Sequence, residues 1–248
     1  MNYYNPPRAK NIFQTGQSFS FSRSKVDLFM KCPHCFYLDR KLGVDTPPGF
    51  PFNINSAVDT LLKREFDLHR KNQTIHPLLV KSSLDFVPFD HPDIDIWREN
   101  FKGIRCTYRG YEFSGAVDDV WVTKKGELVI VDYKSTASSE PVVSIDKDYH
   151  IGYKRQVEFY QWILYKLGYN IFDTAYFVYC TGDNTKDSFN GNMHFNINLI
   201  PYKGDFSWVE QTLNELIECI ENDDAPNQSE DCDYCRYFTA RKSCSSVK

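Results

Sequence analysis

Apolar residues recur along this chain with two different periods, and the switches between them outline the elements. Val26, Phe29 and Met30 fall at helical spacing. Ser24 and Asp27 read as a capping box, so a short helix is predicted to run up to Cys32. Residues 45–53, DTPPGFPFN, form a Pro/Gly loop. A second helix is predicted from Ile54, with Ile54, Val58, Leu61, Leu62 and Phe66 on one side. Strand-like runs follow over 104–113, 115–122 and 128–135, punctuated by Gly110, Gly115 and Gly126. A helix over 151–167 carries Val157, Trp162, Ile163, Leu164 and Leu167. Strands over 174–181 and 193–200 then flank the polar loop GDNTKDSFNGN. The last helix opens near Asp205, with Ser207 and Glu210 as a second capping box, and aligns Val209, Leu213, Leu216, Ile217 and Ile220 on one face. Residues 1–19 read as a polar arm, and residues 72–100 show no period.

This order of elements predicts an α/β fold, a mixed β-sheet flanked by helices. With 248 residues, 42% of them hydrophobic, the stretch 20–248 suffices for a single domain with a packed core. No apolar run approaches the roughly 20 residues of a membrane span. The N-terminal MNYYNPPRAK has no apolar signal core, so the expectation is a cytoplasmic protein that makes no use of a membrane. Thiols stay reduced there, and eight cysteines then point to metal or burial rather than to disulfides. The formal charge of −4 does not favour a nucleic-acid partner. It does not exclude one either, because an acidic metal centre subtracts from the count.

Three short motifs carry the candidate chemistry: GAVDD at 115–119, VDYK at 131–134 and QVEFY at 156–160. Asp132 and Lys134 are two apart on a strand and so face the same way. Two carboxylates, Asp118 and Asp132, beside an ammonium suit a divalent cation next to a positive charge, which is equipment for activating water on a phosphodiester. Gln156 and Tyr160 share a helix face, while Glu158 lies on another side and reads as solvated. Two C-x-x-C pairs, Cys32 with Cys35 and Cys232 with Cys235, are a strong signal for a tetrahedral thiolate site joining the first helix to the C-terminal tail. Cys106, Cys180 and Cys219 read as small buried residues. The six histidines form no ligand pattern, and His150 merely precedes the Gln156 helix. CPHC also matches the redox motif of a thiol–disulfide oxidoreductase, a reading that needs a preceding strand, whereas the residues before it have helical spacing.

Read in order, the three motifs resemble the PD-(D/E)XK nuclease superfamily, specifically its RecB-like branch, which includes the CRISPR-associated RecB-like exonucleases. Gly115 to Asp118 match the G-x-x-D strand, Asp132 and Lys134 the (D/E)-x-K strand, and Gln156 and Tyr160 the Q-x-x-x-Y helix. The resemblance implies a restriction-endonuclease-like core and exonuclease-like hydrolysis of DNA. It implies Mg²⁺ or Mn²⁺ held by Asp118, Asp132 and the backbone carbonyl of Tyr133. Lys134 would hold or deprotonate the attacking water, or offset transition-state charge, and Gln156 and Tyr160 would face the nucleic-acid backbone. DNA is the implied partner, with a helicase, repair or CRISPR-type protein beside it.

The chain departs from that branch at one point. A metal-binding His is usual there in a G-x-x-(V/I)-H context, but NSAVDTLLK puts Asn55 at the Gly position and Asp59 at the His position. Asp59 stands as a metal ligand through oxygen or as a surface acid, which leaves a weakly catalytic nucleic-acid-binding module as the alternative. Cysteine-bearing members of the branch hold an iron–sulfur cluster with one early and three late cysteines. The early context is matched by Cys32, Pro33, Phe36 and Leu38. Two ligand sets therefore compete. Cys32, Cys35, Cys232 and Cys235, the preferred set, would hold Zn²⁺ or a cluster; Cys32, Cys232, Cys235 and Cys244 would be the iron–sulfur arrangement.

Overall fold

The computed structural model describes residues 12–46 and 53–244. The expected arm up to residue 11 and most of the Pro/Gly loop, residues 47–52, lie outside them. In chain order the elements are β1 (Ser20–Ser22), α1 (Arg23–Lys31), α2 (Pro33–Arg40), α3 (Asn53–Asn72), α4 (Pro77–Lys81), β2 (Val87–Pro88), α5 (Ile94–Trp97), β3 (Ile104–Tyr108) and β4 (Tyr111–Gly115). There follow β5 (Asp119–Val122), β6 (Leu128–Ser138), α6 (Ile151–Lys166), β7 (Thr174–Asp183), β8 (Phe195–Lys203), α7 (Val209–Glu221) and α8 (Asp233–Cys244). They gather into two compact units, one from the two ends of the chain with Thr107–Phe113, the other from Pro51–Cys106 and Ser114–Phe206.

The second unit is built on a mixed sheet in the order β2-β5-β6-β7-β8, with β6 and β7 parallel and the other pairs antiparallel. A parallel pair needs a crossover, and α6 supplies it. Strand alternation divides β6 between two faces. Val129, Val131 and Tyr133 join Leu62, Phe66, Leu79, Trp121 and Val178 in one core under α3. Ile130, Asp132 and Lys134 therefore point the other way, and Lys134 meets Tyr153 of α6. Only part of the expected α3 face is buried: Leu62 and Phe66 are, Val58 is half-buried, and Ile54 and Leu61 are 68% and 60% exposed. The sheet accepts a narrow stripe at i, i+4 and i+8, and Leu61 lies off it.

The expected strand over 104–113 is a hairpin turned at Arg109 and Gly110, whose φ values are 49° and 83°. Two positive φ values make a type I′ turn, for which Gly110 is suited. The unplaced stretch 72–100 contains α4, β2 and α5. His76 and Pro77 start α4: the ring accepts from the Leu78 N–H at 3.1 Å, and Pro has no N–H to leave unsatisfied.

β1, β4 and β3 form a second sheet in that order. Its aromatic core includes Phe21 stacked on Phe113 at 5.5 Å and Phe29 edge-on to Phe36 at 5.4 Å. Phe13 and Phe19, both within the expected arm, are buried against each other at 5.6 Å. The apolar stripe of α7 is buried as its spacing predicts. The N-caps stand one or two positions away from the residues expected. Ser22 is the N-cap of α1 and Trp208 that of α7, neither with a side-chain cap bond, and Asp27 pairs with Lys31 at 2.8 Å. The expected C-terminal tail contains α8, which buries Cys235 alone among its residues and so has no apolar stripe to betray it. Among the described residues no helix is long and apolar enough to cross a membrane.

Candidate active site and cysteine cluster

β5 begins at Asp119, paired with Val131, and β6 runs on past that pair to Ser138. Asp118 sits at this point, just before β5, and its carboxylate takes the place of the departed strand by accepting the Tyr133 N–H at 2.8 Å. In a strand the N–H and C=O of one residue point to the same edge, so the Tyr133 carbonyl is directed to the side occupied by Asp118. Asp132 is fully buried and ion-pairs with Lys134. The Lys134 ammonium also lies 4.7 Å from the centre of the Tyr153 ring. Burial would lower the pKa of Lys134, but the charges of Asp132 and Asp118, with Tyr160 nearby, outweigh it and hold the group above its ordinary value. Asp118, Asp132 and Lys134 are thus brought together as the sequence predicts.

Gln156 donates to the Tyr160 hydroxyl at 3.3 Å, so the helix pair also meets. Both side chains are buried rather than open to solvent, Tyr160 at 3% exposure. The edge of the Tyr160 ring lies against Gly115: a Cβ there would stand 3.0 Å from its Cδ1 and closer still to Cε1. The glycine of the first motif is therefore the seat of the tyrosine of the third. Tyr153, one turn before Gln156, lies on the same face of α6 and was missed by sequence reading; its i, i+3, i+7 spacing with Gln156 and Tyr160 was the available signal. Glu158 is buried, contrary to expectation, because β8 and the chain after it cover that side: it accepts from the Tyr202 hydroxyl and, at 3.2 Å, from the Asp205 N–H.

Asp59 is half-buried on α3 and bonded to Lys63 at 2.9 Å. Burial, and then the charge of Asp118, push its carboxyl pKa up against the pull of Lys63 and Arg98. Asn55 donates to the Ser135 carbonyl at 2.6 Å, fastening the first turn of α3 to the end of β6. A cavity of about 550 Å³ opens here, lined by Asp59, Lys134, Tyr153, Val58 and Phe195 among others. The carboxylates of Asp59, Asp118 and Asp132 are not drawn into one tight cluster; each is bound to the neighbour just described.

Asp119, next to Asp118, does different work. Fully buried, it binds Arg70, Arg98 at 3.0 Å, the Val120 N–H at 2.8 Å and the Tyr133 hydroxyl at 2.8 Å. Arg98 reaches on to Asp67 through two bonds of 2.9 and 3.0 Å. Arg70 comes from the last turn of α3, and Arg98 from the stretch 72–100, in which the sequence shows no period.

In the first unit the four cysteines Cys32, Cys35, Cys232 and Cys235 converge, with every sulfur within 4.8 Å of the others. Among the described residues this is the group of potential metal ligands gathered that closely. Cys32 caps α2 and accepts the Cys35 N–H at 3.4 Å. Burial would raise the Cys32 thiol pKa, but bonds from Ser229 and Cys35 outweigh it and bring it down to about 6, while burial pushes Cys235 up to about 11. Cys244 is exposed at the far end of α8, nine residues and about 13 Å of helix beyond Cys235, so the competing ligand set is not assembled. The helix α1 precedes CPHC, where an oxidoreductase would need a strand. Cys106 and Cys180 are buried in β3 and β7, and Cys219 lies half-buried in α7. Of the histidines, His76 stacks on Phe66 at 4.1 Å and bonds Glu65, His34 bonds the Pro226 carbonyl, and His150 is buried among Tyr149 and Tyr153.

The PD-(D/E)XK nuclease superfamily model matches residues 56–240. Among solved structures, the crystal structure of SSO0001 aligns with 91% of this chain and 87% of its own, at 12% identity and a TM-score of 0.36. No curated protein matches.

Proposed function

The chain belongs to the PD-(D/E)XK nuclease superfamily, and from that premise we propose that it is a divalent-metal-dependent deoxyribonuclease of RecB-like type, exonuclease-like in action. The observation that carries this reading is the meeting of Asp118, Asp132 and Lys134 where β6 outruns β5. Asp118, Asp132 and the Tyr133 carbonyl would hold Mg²⁺ or Mn²⁺, with Asp59 as a further oxygen ligand. These donors suit hard cations. Burial and the charge of Asp118 oppose ionisation of Asp59, and a bound cation would offset both. Such an ion, when bound, polarises a phosphodiester and makes a water more acidic.

The residues of the chain supply the rest. Lys134 sets a positive charge beside Asp132, where it offsets charge gathering on the phosphoryl oxygens. Tyr153 holds that ammonium in place. Gln156 and Tyr160, buried and bonded to each other, buttress the same face from within. DNA is the substrate in this reading, in the cytoplasm, with a helicase, repair or CRISPR-type protein as partner. The four cysteines form a second metal site, for which Zn²⁺ and an iron–sulfur cluster are the candidates. A weakly catalytic DNA-binding module is the second reading; the Asp59–Lys63 pair, at the position where the branch carries His, favours it.

The test is single-turnover cleavage of labelled single- and double-stranded DNA under Mg²⁺ and Mn²⁺, with product sizing and matched metal titrations. Asp118→Ala and Asp132→Ala should lose both cleavage and metal binding. Lys134→Ala should keep metal binding and lose roughly 100- to 1000-fold in rate. Cleavage at the parental rate by Lys134→Ala would remove VDYK from the reaction and the nuclease reading with it.

A further inference from the structure

We infer that the four cysteines form a mononuclear tetrathiolate zinc site and not an iron–sulfur cluster. The distances carry this. Cys32 and Cys235 sulfurs are 3.7 Å apart, and the Cys35 sulfur is 3.6 Å from those of both Cys232 and Cys235. A zinc ion binds thiolate at about 2.3 Å, and the edge of a regular tetrahedron is about 1.63 times its centre-to-corner distance, so four thiolates on one zinc stand about 3.8 Å apart. In a four-iron cluster each thiolate binds a different iron, and the width of the cluster separates every pair. In a two-iron cluster the separation remains between the two pairs. Here the close approaches run across the two motifs, from Cys32 and Cys35 to Cys232 and Cys235, where either cluster requires a gap.

The backbone is arranged for one small centre. The first cysteine of each motif immediately precedes a helix, Cys32 before α2 and Cys232 before α8, and the second lies in the first turn of that helix. Two helix N-termini therefore converge on the sulfurs, and their dipoles favour the thiolate charge. The Arg236 N–H donates to the Cys232 carbonyl at 2.9 Å, as the Phe36 N–H does to that of Cys32 at 3.0 Å, so the two halves repeat one local geometry. Among mononuclear occupants, zinc binds such a site more tightly than ferrous iron. Cys244 is left outside. The role is structural: four protein ligands close the coordination sphere, and the ion joins α2 to α8 across nearly the whole length of the sequence.

The full-length protein, expressed with both zinc and iron supplied and purified anaerobically, should contain one zinc per chain by elemental analysis. It should lack acid-labile sulfide and visible absorption. After chelator stripping, Co²⁺ titration should give the strong visible bands of a tetrahedral tetrathiolate at one equivalent. Cys244→Ser should retain zinc, and Cys235→Ser should lose it. Should Cys235→Ser fail to fold, the cobalt titration of the parental chain still decides the point. Iron in place of zinc, with or without labile sulfide, overturns the inference, as does a folded chain that binds neither zinc nor cobalt. The nuclease assay plays no part in these readouts, so the two readings stand or fall separately.

Discussion

Gly115 should be intolerant of even one added methyl group, and Tyr160 should be the reason. The backbone at Gly115 needs no left-handed conformation, so the cost of Gly115→Ala is steric. The new Cβ would lie 3.0 Å from Tyr160 Cδ1 and nearer to Cε1. That ring is 3% exposed and cannot swing into solvent. Relieving the overlap means shifting the ring or the strand end, and overpacking of this kind costs about 1–3 kcal/mol. For a chain of this size that corresponds to a melting point lowered by roughly 2–12 °C. A shifted ring also disturbs the 3.3 Å bond from Gln156, so the single-turnover rate should fall as well. The decisive assay is a double-mutant cycle. In a Tyr160→Leu background most of the penalty of Gly115→Ala should vanish, giving a coupling of about 0.5–3 kcal/mol. Equal penalties in both backgrounds would refute the contact. A destabilised but fully active Gly115→Ala would detach the tyrosine from the reaction.

Asp119→Asn should cost about 1.5–3 kcal/mol in urea unfolding, because it removes the buried one of the two carboxylates that Arg70 and Arg98 share and leaves them Asp67 alone; a loss below about 1 kcal/mol would contradict this. Tyr153→Leu should slow cleavage by about 2- to 30-fold, the value of a cation–π contact of roughly 0.5–2 kcal/mol, while Tyr153→Phe restores most of the rate; a Phe variant as slow as Leu would point to the hydroxyl instead. Burial holds His76 below its ordinary pKa of 6.5 despite Glu65, so the unfolded chain takes up that proton first as pH falls. Stability should be constant above about 6.5 and decline below it until the folded-state value is passed, since protonation also removes the ring nitrogen that caps α4. His76→Asn can keep the cap, and its melting point should lose that part of the dependence between pH 8 and 5.

How far the sequence discloses these features depends on whether they are local. Asp132 and Lys134 were legible because strand period alone sets them on one face of a run that is otherwise apolar. The stripe of α7 was legible for the same reason at helical period. Gly115 against Tyr160 was not, since nothing in either segment announces a contact 45 positions away. Glu158 reads as solvated because its own helix says so; β8 and the Asp205 backbone arrive from elsewhere to bury it. The aromatic anchors Phe13 and Phe19 hide within a polar stretch, and α8 hides because its attachment is a thiol and not an apolar face. The cysteine spacing, by contrast, was readable outright, and the structure gathers Cys32, Cys35, Cys232 and Cys235 while Cys244 lies apart.

The adjacent aspartates Asp118 and Asp119 show why the buried ion network matters to the site. By residue type either could serve as a ligand, and a slip of β5 by one residue along β6 would exchange them, since register shifts of one reverse every side chain. Hydrophobic pairing alone resists that slip weakly here, because β5 is only four residues long. Asp119 is instead tied to Arg70, to Arg98, to its own neighbour's N–H and to the Tyr133 hydroxyl, and none of these partners is available on the other face. Buried ion pairs are poor sources of net stability, because desolvation offsets much of their attraction. Their value at this position is discrimination. The slipped register would turn Asp119 away from Arg70, Arg98 and the Tyr133 hydroxyl together, and each of these bonds would have to be made anew with Asp118. Tyr133 belongs to both halves of the arrangement: its hydroxyl answers Asp119 and its N–H answers Asp118. One residue on the central strand thereby converts the fixed position of Asp119 into the fixed position of Asp118.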